Sequence, residues 1–197
     1  MLSLPAGEDR LQHGEGPSLG PVEIVRYDPR WPEIYRAERE AILARCGSLI
    51  LEIEHVGSTA IPGCAAKPVI DMMAAVRSLE DGSLIAARLR DRDYREHGTD
   101  MDDRLLLLRH SGSEATGFHL HLVDPGRFTA SHERLMRDHL LSDAAAVRAY
   151  GALKRRLART HREDREAYTR AKTAFIQQLI DQARAERGMP PIELWPE

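Results

Sequence analysis

The sequence of 197 residues is poor in cysteine, in aromatic side chains and in long apolar runs. Its two cysteines, Cys46 and Cys64, do not form a C-x-x-C pair, so we expect a reducing compartment and no disulfide framework. Aromatic residues make up 5% of the chain, which leaves little material for stacking nucleic-acid bases. No apolar run approaches the ~20 residues that span a bilayer, so we expect no membrane partner.

An excess of positive charge is also absent, because 28 Lys and Arg residues stand against 31 Asp and Glu residues. Since affinity for a phosphate backbone rests on surplus Lys and Arg, long nucleic acid is not expected as the main partner. Residues 1–20 contain neither the apolar segment of a signal peptide nor a hydrophobic period, and we interpret them as a mobile arm. These features indicate a cytoplasmic protein and leave its oligomeric state open.

The pattern of apolar residues predicts one domain over residues 21–186, followed by a C-terminal tail over 187–197. Strands mixed with helices come first and helices alone follow. This order predicts an α+β fold, a small mixed β-sheet with helices on it and a helical C-terminal layer. A polar spacer at 111–114 predicts a hairpin between the last two strands. The predicted helices cover 31–45 and 79–92 and segments around 135–140, 147–157 and 168–180, and the predicted strands cover 49–56, 69–76, 104–109 and 118–123.

The segment between the first two predicted strands carries the strongest functional signal. The first strand ends at Gly57, whose missing Cβ allows a ligand to approach the backbone closely. Ser58 and Thr59 then supply hydroxyl and N–H groups, as in a phosphate-binding turn. Lys67 adds a positive charge, and Asp71 lies in an apolar strand, where a carboxylate needs a cation or hydrogen bonds. The segment therefore predicts a phosphate site next to a carboxylate that can bind a metal or pair with Lys67.

This segment resembles the GrpB family, a branch of the DNA polymerase beta-like nucleotidyltransferase superfamily. Three further segments resemble the family in the same order along the chain: VRYDPRWP at 25–32, FHLHLV at 118–123 and DREAYTRAKT at 164–173. The resemblance implies a nucleotidyltransferase-type fold. It also implies the metal-dependent transfer of a nucleotidyl group from an NTP to a small acceptor, with Mg²⁺ or Mn²⁺.

In this superfamily, paired acids after a Gly-Ser turn and a third acid on a later strand hold two metal ions. Asp71 matches the first acid, but Met73 stands at the second position, and the later strand offers His119 and His121. Methionine does not ligate Mg²⁺, so the usual two-metal arrangement is not expected. The predicted site residues are Asp71 and His121 for catalysis, Asp71, His119 and His121 for a metal, and Gly57, Ser58, Thr59, Lys67, Tyr168 and Lys172 for the nucleotide phosphates.

Several of these residues have more than one interpretation. His119 and His121 alternate along a strand and so share a face, where they could bind Mn²⁺, Zn²⁺ or Fe²⁺, act as a general base, or be polar residues of an open sheet. Tyr168 and Lys172 are one helical turn apart and form either a phosphate-facing pair or an ordinary amphipathic surface. The charged runs at 137–138, 154–156 and 162–170 are expected to be solvated. Of the neighbours Glu54 and His55, only one can face a ligand.

Two other functions are compatible with the same residues. Met73 favours a non-catalytic module that binds a nucleotide or another metabolite. Asp71, His119 and His121 are compatible with an enzyme of different chemistry that holds a transition metal.

Overall fold

The computed structural model describes residues 21–98, 103–110 and 116–194. Within these residues five strands form one mixed sheet in the order β1-β2-β5-β4-β3. The strands are β1 (Ile50–Val56), β2 (Val69–Val76), β3 (Arg95–His97), β4 (Arg104–Arg109) and β5 (Gly117–Val123). The helices are α1 (Trp31–Cys46), α2 (Gly82–Arg88), α3 (Pro125–Thr129), α4 (His132–Ser142), α5 (Ala144–Thr160), α6 (Arg165–Arg170) and α7 (Thr173–Ala185). The predicted arm at 1–20 and the spacer at 111–114 lie outside the described residues.

The pairing of the strands decides which side chains meet. β2 and β5 run parallel, whereas β1 with β2, β4 with β5, and β3 with β4 are antiparallel. β2 is buried on both faces, as its continuous apolar sequence predicts. Met72 and Ala74 pack on the face that α1 and α2 cover, and Met73 and Ala75 pack on the other. Fully burying one large apolar side chain, such as that of Met72 or Met73, stabilises the fold by about 1.5–3 kcal/mol.

The C-terminal helices form a second layer beside the loop that links β1 to β2. Ile61 and Cys64 of that loop pack with Tyr150 of α5 and Leu179 of α7 in one buried cluster. Asp143 begins α5 by accepting hydrogen bonds from two backbone N–H groups at 2.8 and 2.9 Å. The predicted α+β architecture with a helical C-terminal layer is confirmed. Within the described part of the chain, no helix has both the length and the apolar composition that a transmembrane helix needs.

Three local predictions differ from the structure. The helix predicted over 79–92 is broken into two 3-10 turns with α2 between them, and Asp93 ends it with a left-handed φ of 62°. β3 was not predicted because its three residues are all exposed and polar, so no apolar period marks it. The last predicted helix is divided into α6 and α7 at Ala171 and Lys172, a break without Gly or Pro.

Candidate functional site

A cleft of about 230 Å³ opens where β1 ends and where β2 and β5 begin. All of the predicted site residues except His121 line it, together with Tyr150 and Lys154 of α5. Its lining consists of Gly57, Ser58, Thr59, Ala66, Lys67, Val69, Asp71, His119, Tyr150, Lys154, Tyr168 and Lys172. Gly57 and Lys172, which are 115 positions apart in sequence, therefore meet in one concave surface.

Position 57 requires glycine for a reason other than the close approach of a ligand that the sequence suggested. Its φ of 69° and ψ of −171° belong to a region that is essentially restricted to glycine. A Cβ at this position would lie 2.5 Å from Asp71 Oδ2. The space left by the missing side chain is thus filled by the carboxylate of Asp71, whereas the sequence prediction assigned it to a ligand.

Asp71, His119 and His121 form a compact group on one face of the sheet. The parallel register pairs Asp71 directly with His119, and His121 follows two residues along β5. His119 Nδ1 lies 3.0 Å from Asp71 Oδ1, and one potential ligand atom from each of the three residues lies within 4.8 Å of the others. Burial raises the pKa of Asp71, but the hydrogen bond from His119 and nearby positive charges outweigh it and lower the pKa overall. Asp71 is therefore a carboxylate at neutral pH, and its direct partner is His119 and not Lys67.

His121 lies deeper than His119 and is neutral. Burial lowers its pKa to about 4, and its Nδ1 atom is buried without a hydrogen-bond partner among the described residues. A neutral imidazole with an unpartnered buried nitrogen is the form that ligates a metal. One carboxylate and two imidazoles suit Mn²⁺, Fe²⁺ or Zn²⁺ better than Mg²⁺, which prefers oxygen ligands. The donor set thus fits a divalent transition metal.

Met73 lies on the same face as Asp71 but does not reach the cleft. Its side chain is fully buried in a cluster with Val56, Val123 and Phe128. Phe128 belongs to α3, which packs across β2. The position of the second acid in the superfamily is therefore part of the apolar core in this chain.

Two predicted lysines flank one aromatic ring. Lys67 Nζ lies 5.6 Å and Lys172 Nζ 4.6 Å from the centre of the Tyr168 ring. Burial, and then the charges of Lys67 and Lys154, lower the pKa of Lys172 to about 8. Burial also lowers the pKa of Lys67, while Asp71 acts in the opposite direction. Tyr168 and Lys172 turn toward the same cleft although the predicted continuous helix is broken between them.

Lys154 is a third cleft lysine, and the prediction that it is solvated was wrong. Its residue is 3% exposed, and its Nζ lies 2.6 Å from Ser58 Oγ and 3.4 Å from Cys64 Sγ. The sequence contains the signal, because the buried face of α5 repeats at helical spacing and includes this position. The members of that face are Val147, Tyr150, Gly151, Lys154 and Ala158.

Neither Glu54 nor His55 is available to a ligand. Glu54 lies on the same face as Asp71, but its carboxylate is bound by Arg134 at 2.8 Å and Arg137 at 2.6 Å. His55 lies on the opposite face, stacked on the ring of Tyr35. The prediction that Arg137 is solvated was also wrong, since its side chain is 16% exposed and pairs with Glu54.

Comparison with known proteins identifies the family. A sequence model described as GrpB protein matches residues 21–182. The UPF0157 protein YqkA of Bacillus subtilis is 31% identical over 163 residues, which cover 83% of this chain and 47% of the relative. The UPF0157 protein BH1888 of Halalkalibacterium halodurans is 28% identical over 196 residues, which cover 93% of this chain and 95% of the relative. The chain thus spans about half the length of the first relative and nearly all of the second.

Comparison with solved structures also identifies the GrpB family. The conserved protein GrpB from Enterococcus faecalis matches with a TM-score of 0.76 and 27% identity, covering 84% of this chain and 99% of the other. A cytoplasmic RNA terminal U-transferase matches with a TM-score of 0.50 and 13% identity, covering 68% of this chain and 42% of the other. At this identity the second match concerns the fold alone. The chain has a nucleotidyltransferase-like fold and belongs to the GrpB family.

Proposed function

We propose that the cleft binds the phosphates of an NTP and transfers its nucleotidyl group to a small acceptor with a divalent metal. The observation that carries this proposal is the convergence of three lysines and one carboxylate in a single cleft. Lys67, Lys154 and Lys172 come from different parts of the chain, and Asp71 is the acid that lines the cleft with them. The cytoplasmic location expected from the sequence belongs to the same proposal.

The lysines favour a ligand with several negative charges. Burial lowers the pKa of each of the three, which means that each ammonium lies where its charge is poorly solvated. A phosphate chain in the cleft would supply the missing counter-charges and strengthen every one of these contacts. A neutral ligand would leave the three charges uncompensated. A nucleoside triphosphate, with its charge concentrated in one chain, fits this requirement.

The metal part of the proposal rests on Asp71, His119 and His121. These residues would hold the ion, and Asp71 is the one that also lines the cleft. When bound, a divalent ion would neutralise charge on the transferring phosphate group. Nucleotidyl transfer is a reaction that this fold supports in the RNA terminal U-transferase, an analogy at the level of the fold.

The rival proposal is a module that binds a nucleotide or another phosphorylated metabolite without catalysis. The burial of Met73 favours it, because the acid pair of the superfamily is replaced by a core side chain. The third possibility, an enzyme with a tightly held transition metal, is favoured by the two imidazole ligands. A metal analysis of the purified protein separates it from the first two, because only the third requires Zn²⁺, Fe²⁺ or Mn²⁺ to remain bound through dialysis.

Titration calorimetry with each of the four common NTPs, with and without Mn²⁺, tests the proposal. Lys172→Ala should weaken NTP binding by about 1.5–3 kcal/mol, a typical loss for a charged hydrogen bond. Arg170→Ala is the matched control, because Arg170 is 71% exposed and pairs with Glu166. Asp71→Asn should remove the dependence on Mn²⁺.

Binding that is equally strong without metal, and unchanged by Asp71→Asn, would replace the transferase by the binding module. Equal effects of Lys172→Ala and Arg170→Ala, or no NTP binding at millimolar concentration, would refute the phosphate site itself.

A further inference from the structure

A second concave surface lies next to the cleft, between the segment at 21–24 and the C-terminal half of α5. This groove has a volume of about 420 Å³ and shares no lining residue with the cleft. Val22 and Ala158 form part of its lining, and both pack with Tyr168 in one buried cluster. Because Tyr168 also lines the cleft, its side chain lies between the two concave surfaces. The groove is therefore a neighbouring but separate site.

Backbone hydrogen bonds hold the walls of the groove together. The N–H of Val22 donates to the carbonyl oxygen of Arg162 at 2.7 Å, just beyond the end of α5. Val25 and Ala66 pair through two backbone hydrogen bonds of 2.9 and 3.1 Å, which fix the same segment to the loop between β1 and β2. The groove is thus formed before any ligand binds, as small-molecule sites usually are.

Positive side chains dominate the lining. Arg155 and Arg159 lie one turn apart on α5 and so share a face, and Arg162 follows the end of the helix. Glu23, on the opposite wall, is the acid of the lining. The groove therefore has an excess of two positive charges, and we call it the arginine groove.

The arginines have few counter-charges. Within the part of the chain that the structure describes, neither Arg155 nor Arg159 forms an ion pair with a carboxylate. Arg162 Nε lies 3.6 Å from Glu163, but these two side chains are 69% and 76% exposed, so water screens the contact. α5 supplies no compensation, because its residues 144–160 include neither Asp nor Glu. The excess positive charge is therefore available to an anionic ligand.

From this arrangement we infer that the arginine groove binds a small phosphate ester, in a site separate from the NTP cleft. A phosphate monoester carries a charge of about −1.5 to −2 at pH 7, which matches the excess in the groove. Its oxygens accept paired hydrogen bonds from a guanidinium, a geometry that arginine provides and lysine does not. A monocarboxylate would leave one positive charge uncompensated. The inference goes beyond the proposed function and does not depend on it.

The apolar part of the lining indicates that the ligand has an organic body. Val22 and Ala158 are 3% and 8% exposed, and Pro21 and Ile24 add further apolar surface. The volume of the groove lies within the range of about 300–1,000 Å³ that is typical of small-molecule sites. The groove is thus suited to an ester that places its phosphate on the arginines and its organic part on the apolar residues.

Arginines near the end of a helix also have a structural role, which the experiment must separate from binding. Arg159 lies in the last turn of α5, where a cation stabilises the helix through its terminal carbonyl groups. This role predicts a loss of stability on substitution, whereas the inferred site predicts a loss of ligand affinity. Glu23 separates the two roles further, because its removal should strengthen the binding of an anion.

A nitrogen-15 NMR titration with phenyl phosphate tests the inference, because this probe carries one phosphate on an apolar ring. The amide signals of residues 22–24 and 155–162 should shift together and saturate with one dissociation constant. Benzoate carries a single charge on the same ring and should bind at least about tenfold more weakly. Phenol, which is uncharged at neutral pH, should leave these signals in place.

Substitutions on both walls should change the affinity in opposite directions. The double variant Arg155→Gln/Arg159→Gln should bind phenyl phosphate at least about tenfold more weakly, and Glu23→Gln about two- to fivefold more tightly. Arg156→Gln is the matched control, because Arg156 is an exposed residue of α5 outside the groove, and its affinity should equal that of wild type. Lys172→Ala should also leave the groove unchanged, because Lys172 lines the cleft.

Groove signals that do not shift at millimolar phenyl phosphate would overturn the inference, and so would equal affinities for phenyl phosphate and benzoate. A folded double variant that binds like wild type, or an Arg156→Gln variant that loses as much affinity, would also overturn it. If the double variant does not fold, Arg162→Gln and Glu23→Gln decide, with weaker and tighter binding expected. NTP binding in the cleft without phenyl phosphate in the groove would refute this inference alone, whereas the reverse result would refute the proposed function alone.

Discussion

Replacing Gly57 by alanine tests whether this glycine positions the carboxylate of Asp71 in the cleft. The new Cβ would lie 2.5 Å from Asp71 Oδ2 and 3.1 Å from the Cβ and Cγ atoms of the same residue. Gly63 provides a matched control, because it also has a positive φ, 78°, but a Cβ there would meet no described atom within 4 Å. Gly63→Ala therefore carries the backbone strain without the collision.

The two substitutions should differ in size. A residue held in a sparsely populated backbone region costs about 1–3 kcal/mol, and this strain applies to both variants. At Gly57 the Asp71 side chain must also rotate away, and it then loses its 3.0 Å contact with His119. A hydrogen bond to a charged group contributes about 1.5–3 kcal/mol, so Gly57→Ala should lose about 2.5–6 kcal/mol in total. At about 2–4 °C per kcal/mol, its Tm should fall by about 5–24 °C.

Urea denaturation gives the free energy of unfolding of both variants, and calorimetric titration gives their Mn²⁺ affinity. Gly57→Ala should lose both stability and Mn²⁺ affinity, whereas Gly63→Ala should lose about 1–3 kcal/mol of stability and keep the metal site. Equal stability losses in the two variants, or wild-type Mn²⁺ binding by Gly57→Ala, would show that Gly57 does not position Asp71.

Three further predictions follow from particular side chains. Lys154 and Lys172 have pKa values lowered to about 8, and each must be protonated to bind phosphate. NTP affinity should therefore fall as pH rises from 7 to 9, by up to about tenfold for each lysine. Calorimetric titration at both pH values measures this, and a constant affinity would contradict it. Met73→Asp should lower the free energy of unfolding by about 3–5 kcal/mol, because it buries a charge beneath α3. It should give no gain in Mg²⁺ binding. A stable variant that binds Mg²⁺ more tightly would refute this prediction. Glu38 is bound by Arg92 and Arg109 at 2.6 Å each, on the sheet face opposite the cleft, so Glu38→Gln should cost about 3 kcal/mol in urea denaturation. NTP affinity should stay unchanged in this variant, and a change would show that the two faces are coupled.

The strands of the site could be predicted because their apolar periods are regular. Alternation along β5 correctly placed His119 and His121 on one face, and the polar residue in the apolar β2 marked Asp71. Local pattern does not reveal, however, that β2 and β5 are parallel neighbours. That register is what brings Asp71 beside His119, and it is a long-range property of the fold.

The errors came from positions whose environment is decided by distant segments. Lys154 is buried because α5 packs its inward face on the loop after β1. Arg137 is withdrawn from full solvent exposure, with its side chain 16% exposed, by its pairing with Glu54, a residue 83 positions earlier. In both cases the residue type predicts a solvated side chain, and tertiary packing overrides it.

A crystal structure of the wild-type protein with a non-hydrolysable NTP and Mn²⁺ tests the central claim most directly. Anomalous scattering locates the manganese without reference to the protein coordinates. The account predicts the ion at Asp71 with an imidazole of His119 or His121, and the phosphate chain in contact with Lys67, Lys154 and Lys172. A nucleotide bound elsewhere, or a cleft that holds neither phosphate nor manganese at saturating concentrations, would contradict it.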